Sequence, residues 1–575
     1  MKRSCLSALA LVSLAGSLAS AQVTGPNAGA PPYMLPSDAG SGVIFTSIAT
    51  NGRGGANVDP DITYPKLGGG TYRLWGLVDG AGAFRDADDL ANNTFSFLVN
   101  HEVGSGSGGV KAHGANGTTV SLWKIKADAT DLQVIGGKDL MTNVFLWNTT
   151  SNSYVASTPS LGRFCSADLA APGAYRFGAL GTDEKIFLNG EETGANGRAF
   201  AHIASGPNAG TTYELPSHGD YSWENNVASP FPQAKTVVIG ADDSTPGNIY
   251  VFVGNKQSTG NEIERAGLTG GTVYAIGMSG TTVNGSGQNE ESAVNILGNA
   301  VSGPVASKPF TMINMGDLTN VSGATLQSAA DAQGQMNFNR PEDVCWDTRN
   351  PNVAYFLTTA SFSGNSRLWK MEFTDITMPQ LGGTITMLLD GSVPATASGG
   401  FTSATGATRV IMMDNMCITR GGIILIQEDV GNNAHLGRMW AYDIYADSVV
   451  EVGISNSNYF LTGAPSFLTQ DEETSGVIEA WDILGPGWTL LDMQAHYSIT
   501  ANGLSEGGQL MAAYIPAAKR LCQVDINSDS IVDFFDYLDF VAAFSSNAPV
   551  ADFNLDGVID FFDYLDFVAA FSTGC

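Results

Sequence analysis

The run NIYVFVGN, from Asn248 to Asn255, places β-branched and aromatic residues side by side and then stops at Gly-Asn. Four further runs share this grammar: AYFLTTA from Ala354, RLWKMEF from Arg367, TITMLLDG from Thr384 and GIILIQED from Gly422. Short β-rich stretches that end at Gly, Asn or Asp read as strands. Glycine supplies 69 of the 575 residues, well above ordinary usage, which fits many short strands joined by turns. No long amphipathic helix and no glycine-rich turn opening a helix is visible, so a dinucleotide-binding fold is disfavoured. The span from residue 22 to 520 suits one large all-β body, best a β-propeller. No strict repeat of about 40 to 50 residues marks the blades, so periodicity does not give their number.

The chain carries 27 Lys plus Arg against 56 Asp plus Glu, a formal charge of −29. That balance argues against nucleic acid, whose phosphates require clustered cations. With 43% hydrophobic and 14% charged residues, the chain can bury a large core and is not an acidic disordered segment. Residues 1–21 read as an export signal: Lys2 and Arg3, an apolar run from Cys5 to Leu18, then Ala19-Ser20-Ala21. Cleavage near Ala21 implies a secreted, periplasmic or cell-surface protein, and no later stretch is apolar enough to span a bilayer. Cys165, Cys345, Cys417, Cys522 and Cys575 would remain, an odd number. None has zinc-ligand spacing, and His101-Glu102 lacks the second histidine of a zinc protease motif.

Two C-terminal segments nearly coincide: VDINSDSIVDFFDYLDFVAAFS from Val524 and ADFNLDGVIDFFDYLDFVAAFS from Ala551, 27 residues apart. Each opens with oxygen ligands at calcium-loop positions 1, 3, 5, 9 and 12. They are Asp525, Asn527, Asp529, Asp533 and Asp536, then Asp552, Asn554, Asp556, Asp560 and Asp563. Gly557 permits the sharp turn in the second loop; Ser530 holds that place in the first. The linker around Pro549 is too short for an entering helix, so each copy is a loop with an exiting helix. This tandem half-motif over residues 522–575 resembles a dockerin module, which implies calcium-dependent folding and attachment to a cohesin-like or cell-surface receptor. At 100° per residue, Phe534, Tyr537, Leu538, Val541 and Phe544 share one face. Phe535 and Phe540 then fall outside it and are expected as partner-facing surface. Cys522 and Cys575 bracket the segment, as a disulfide clasp would.

In the body, acids follow strand-like runs at once. FLVNHE ends at Glu102, IFLNGEE at Glu191 and Glu192, SWEN holds Glu224, and VVIGADD ends at Asp242 and Asp243. NRPED holds Glu342 and Asp343, and ILIQED ends at Glu428 and Asp429. FLTQDEE and LSEGGQL add Asp471, Glu472, Glu473 and Glu506. On a propeller, strand ends on one face surround the axis, so these carboxylates can converge into an acidic well that a hard cation relieves. The alternative is a set of solvated turn acids on separate loops.

The ordered motifs LVNHE, NGEE followed by GRAFAH, SWEN, GADD, NRPED and QED resemble the PhoX-type alkaline phosphatases over residues 90–515. That resemblance implies a six-bladed propeller whose channel holds an iron and calcium cluster and hydrolyses phosphate monoesters. It implies Glu191, Glu224, Glu342 and Glu428 as metal ligands, joined by Glu102, Glu192, Asp243 and Asp429. Asn100 and Arg340 would face the substrate phosphate. The well-studied branch of that family carries a cysteine ligand for iron directly before the paired glutamates, where this chain has Gly190; a calcium-only centre or lost activity would follow. Cys165 reads as a small buried residue, able to substitute only if the fold brings it near. Three functions are thus open: an exported phosphatase, a non-catalytic metal-stabilised scaffold, or another propeller hydrolase. A serine triad has no support, since GxSxG is absent.

Overall fold

The structure is a computed structural model that describes residues 22–51, 62–171, 173–278, 288–290, 307–391, 401–444, 446–499, 501–518, 524, 526, 532–553 and 558–573. The chain is an all-β propeller of six antiparallel blades. The first blade holds Val78–Phe84, Thr94–His101, Thr119–Lys126 and Val134–Asp139. The second runs outward from Asp168–Leu169 through Ile186–Gly190, Ala199–Ile203 and Thr211–Glu214, and adds Asn143–Asn148 and Ser153–Ser157 at its rim. Trp223–Ala228, Lys235–Asp242, Ile249–Asn255 and Thr272–Met278 form the third; Pro341–Trp346, Val353–Thr358, Arg367–Phe373 and Gly383–Asp390 form the fourth. Lys308–Gly316 pairs with the outer strands of both and joins them into one continuous sheet. The fifth blade starts at Met413–Ile418 and ends at Ser448–Ser455, with Met34–Pro36 at its edge.

The sixth blade is built from both ends of the body. Glu472–Glu479, Trp488–Ser498 and Glu506–Tyr514 accept Ile44–Asn51 as the next strand, so an N-terminal segment closes the ring. Around the axis, Val78–Phe84 neighbours Asp168–Leu169 on one side and Glu472–Glu479 on the other. Ile186–Gly190 touches Trp223–Ala228, which touches Pro341–Trp346, then Met413–Ile418, then Glu472–Glu479.

The core is divided into six clusters, one at each seam between blades. In the run from Asn248, Ile249 and Val251 face the fourth blade, whereas Tyr250 and Phe252 face the second. In the run from Gly422, Ile423 and Leu425 point to the sixth blade, Ile424 and Ile426 to the fourth. Both faces of a blade are buried, which is why these strands are apolar without alternation.

Five inner strands share one irregularity. Register shifts fall between Asp79 and Ala81, Trp223 and Asn225, Pro341 and Val344, Met413 and Met416, and Ser475 and Ile478. A bulge adds a residue and redirects side chains. In the first, third, fourth and fifth blades it falls at or beside an acid, Asp79, Glu224, Glu342-Asp343 and Asp414; in the sixth it falls at Gly476 and Val477.

Among the described tail residues, Phe534–Ser545 and Phe561–Thr573 are helices. Phe540 and Phe567 stack between them at 3.9 Å, both fully buried, and the Tyr537 and Tyr564 hydroxyls meet at 3.1 Å. This corrects the expected faces: Phe540 is the centre of the helix contact, and Phe534, Phe535, Leu538 and Val541 are exposed. Asp525, Asn527, Asp529, Asn554 and Asp556, the two flanking cysteines and the export signal lie outside the described residues.

Candidate metal centre and phosphate site

Three bulged acids, Asp79, Glu224 and Glu342, meet acids and a thiol from strand ends and loops at the central channel. Ligand atoms of four sets each lie within 4.8 Å of one another: Asp79, Cys165 and Glu224; Glu102, Cys165 and Glu192; Asp79, Glu102 and Glu473; and Glu224, Asp243 and Glu342. The sets overlap, so they form one layer running across the axis. Asp414 and Asp429 join it electrostatically through Glu473, Glu224 and Arg340.

The residues expected as ligands separate by strand parity. Glu224 and Glu342 are in the layer, as are Glu102, Glu192 and Asp243. Glu191 is not: its carboxylate accepts from Gly162 N at 2.9 Å and from Arg198 Nε at 2.7 Å. Glu428 is not either; it accepts from Trp440 Nε1 at 2.8 Å, Arg438 N at 3.1 Å and His435 at 2.9 Å. In each case the adjacent acid, Glu192 or Asp429, points to the channel instead, since successive strand residues face opposite ways.

Cys165 corrects its reading as a bland buried residue. Its Sγ lies 3.2 Å from Glu192 and belongs to two of the four sets. Gly190 has no room for a sulfur: an added Cβ would meet Trp223 Cβ at 2.3 Å and Cγ at 2.4 Å. The layer therefore receives its thiol from the preceding loop. Asn100 lies beneath that loop rather than facing open space. Its Nδ2 donates to Cys165 O at 2.6 Å, and its Oδ1 accepts from Asn189 Nδ2 at 2.8 Å. His101 is a structural neutral imidazole, bonded to Gly76 O and Ser121 Oγ and held down near 4 by burial.

Two arginines border the layer. Arg340 grips Asp243 through Nε and Nη2 at 2.8 and 2.9 Å, and its Nη2 lies 2.8 Å from Glu342. Arg163 bridges Glu102, at 2.5 Å, and Glu192. Gln494 Nε2 reaches Glu102 at 2.8 Å, Glu473 at 3.1 Å and Asp79 at 3.3 Å. His496 donates to Glu506 at 2.8 Å. Burial disfavours its imidazolium, but Glu473 and Glu506 outweigh that and raise it to about 11.

These cations are too few for the acids. Burial first, then mutual repulsion, raises Asp79, Glu224, Glu342 and Asp414 well above the carboxylate range and Glu192 to about 8. Nearby Asp492 is fully buried with both carboxylate oxygens unpartnered. A layer of buried oxygens in excess of donors, with one sulfur, fits hard divalent cations and a metal that accepts thiolate.

Below this layer, Asn225, Asp343 and Asn415, which follow Glu224, Glu342 and Asp414, form a floor. Asn225 donates to Asp343, whose other oxygen accepts Met416 N at 2.8 Å; Asn415 donates to Ser166 Oγ at 2.5 Å. The floor separates the layer from a cavity of about 600 Å³ in the lower channel, lined by Ala83, Val227, Trp346, Met416 and Ile478 among others.

Asp79, Arg163, Asp414 and His496 were missed in the sequence; Glu473 stood among the acids of the strand ends without a ligand role, and Cys165 only as a thiol that the fold would have to bring near. Met-Asp-Asn at Met413 repeats the acid-Asx pairing of Glu224-Asn225 and Glu342-Asp343 and could have marked Asp414. Cys165 and Arg163 follow no strand-like run and carried no such signal.

The model of the alkaline phosphatase PhoX family matches residues 207–479. The fold is similar to that of Pseudomonas fluorescens PhoX solved with vanadate, a transition state analogue. The TM-score is 0.55 at 10% identity, covering 87% of this chain and 98% of that one. A glucose dehydrogenase (TM-score 0.29, 9% identity, 70% and 88% covered) and Trypanosoma rangeli sialidase (0.29, 9%, 79% and 58%) are more distant. No curated protein matches the chain.

Proposed function

We propose that this chain is an exported, metal-dependent phosphatase that hydrolyses phosphate monoesters at the channel mouth. The observation that carries the reading is the convergence of Asp79, Glu102, Glu192, Glu224, Asp243, Glu342 and Cys165 into one buried layer. The match to the PhoX family and the fold shared with a phosphatase that binds vanadate support it. Calcium on the carboxylates, with iron at Cys165, is the metal set that the donors suit.

When bound, such metals offset the charge of the ester, polarise its phosphoryl oxygens and acidify a water. The chain's own residues do the positioning. Gln494 fixes the orientation of three carboxylates, and Asn100 holds the Cys165 loop from beneath. Arg340, with its Nη1 unpartnered among the described residues, offers a donor to an oxyanion beside Asp243 and Glu342. Burial of the layer excludes bulk water and strengthens each of these contacts.

The tail would attach the enzyme to a cohesin-like or cell-surface receptor through two calcium loops. In the described part, Asp533 and Asp536 cap the first helix reciprocally, and Asp560 and Asp563 do so in the second copy. No helix among the described residues is long and apolar enough to cross a membrane.

The test is phosphate release from 4-nitrophenyl phosphate by the full chain supplied with calcium and iron, before and after chelation. Turnover lost on chelation supports the proposal. No turnover, together with a calcium-only centre by elemental analysis, would instead favour the scaffold reading.

A further inference from the structure

Arg163 and Arg340 occupy equivalent places at two seams of the ring. Arg163 N donates to Val103 O at 3.1 Å, and its carbonyl accepts from Glu192 N at 2.8 Å; the two partners belong to the first and second blades. Arg340 N donates to Ser244 O at 3.0 Å, and its carbonyl accepts from Thr359 N at 3.0 Å; these belong to the third and fourth. Both are non-glycine residues in the left-handed region, with φ of 42° and 57°. That conformation is costly, about 1 kcal/mol or more, and persists where surroundings impose it, often at functional sites. Each side chain then grips one acid from each adjoining blade: Glu102 and Glu192 for Arg163, Asp243 and Glu342 for Arg340.

The difference lies in what each guanidinium has left. Arg340 spends Nε and Nη2 on its carboxylates. Arg163 spends only Nη2, so its Nε and Nη1 have no partner among the described residues, and the side chain is 48% exposed. A half-exposed guanidinium with spare Nε–H and Nη1–H donors on two different edges, fixed at the border of an acidic layer, can offer one of them to an oxygen of a tetrahedral oxyanion while Nη2 stays on the carboxylates. Glu192 and Asp243 interact across the layer, so the arginines border the same site.

We propose that Arg163 is a second substrate-binding residue, which closes on phosphate oxygens from the side of the layer away from Arg340. This rests on the phosphatase reading. The two arginines then form a clamp, one donor from each of two seams, around a tetrahedral oxyanion held at the layer.

The experiment uses the full chain loaded with calcium and iron, as wild type, Arg163→Gln, Arg163→Lys and, for comparison, Arg340→Gln. Inorganic phosphate binding is measured by calorimetry, metal content by elemental analysis, and KM and kcat with 4-nitrophenyl phosphate. Arg163→Gln should weaken phosphate and raise KM about tenfold, with less change in kcat and with metal content unchanged. Arg163→Lys should recover only part of the loss, because a single ammonium cannot both hold Glu102 and Glu192 and reach the phosphate. Affinity within about twofold of wild type, loss of metal in step with affinity, or full recovery in Arg163→Lys would overturn the clamp and leave Arg163 as a counter-charge for Glu102 and Glu192. A wild type that binds phosphate but releases none from the ester would sink the phosphatase reading alone, while one that binds no phosphate would sink the clamp.

Discussion

Gly190 sits so tightly on Trp223 that even a methyl group would overlap the indole. Gly190→Ala should therefore lower stability by about 2 kcal/mol through overpacking, measured by chemical denaturation. Gly190→Cys should fare no better and should not add a ligand. The sulfur at this site comes from Cys165, so Cys165→Ser should lower bound iron while leaving calcium nearly unchanged, read by elemental analysis. A second contrast separates neighbouring acids. Glu224→Gln or Glu342→Gln should reduce metal uptake, because both carboxylates lie in the layer. Glu191→Gln or Glu428→Gln should leave metal content intact yet cost about 2 kcal/mol, since each carboxylate accepts charged or buried donors elsewhere. Equal metal loss in all four variants would contradict the placement.

At the level of elements, the bulges of three inner strands fall on acid-Asx pairs, Glu224-Asn225, Glu342-Asp343 and Asp414-Asn415, and spread them over two stacked layers. The first member of Glu224-Asn225 or Glu342-Asp343 joins the acidic layer, and the second joins the floor. An unbulged strand would send them to opposite faces. In the tail, the two helices are held by Phe540 against Phe567. Phe540→Ala should destabilise that packing by about 3 kcal/mol, seen as earlier loss of helix on heating, with phosphatase activity preserved. Phe535→Ala, at an exposed position, should have almost no effect on helix content.

For the whole molecule, the ring closes through Ile44–Asn51, which lies more than 450 residues away in sequence from its partner strand Glu506–Tyr514. The closed ring forces like charges together at the axis, and pH dependence follows. Glu192 is raised to about 8 and Asp429 to about 7, by burial and then by neighbouring carboxylates. A carboxyl pKa raised by folding adds stability that is full below the unfolded value near 4.5 and lost as pH rises through the folded value. The metal-free chain should thus melt at falling temperature from about pH 6 to 9, and calcium should restore more at pH 9 than at pH 6. A metal-free melting temperature that climbs over this interval would contradict it.

The strand runs from Asn248, Ala354, Arg367, Thr384 and Gly422, the acids at their ends and the tandem tail were legible in the sequence. Each rests on local chemistry: β-propensity, turn residues, and ligand spacing within one loop. Which member of Glu191-Glu192 or Glu428-Asp429 faces the axis was not legible, because both pairs sit at or just past a strand end, where contacts with distant donors such as Gly162 and Trp440 decide which carboxylate turns away from the axis. Nor was the source of the thiol: Cys165 and Gly190 are separated along the chain, and only the packing of Trp223 against Gly190 and of Glu192 beside Cys165 chooses between them. Sequence determined the kinds of groups available, since composition and spacing are local. Tertiary structure alone decided which of them share a site, since six inner strands become neighbours only when the ring closes.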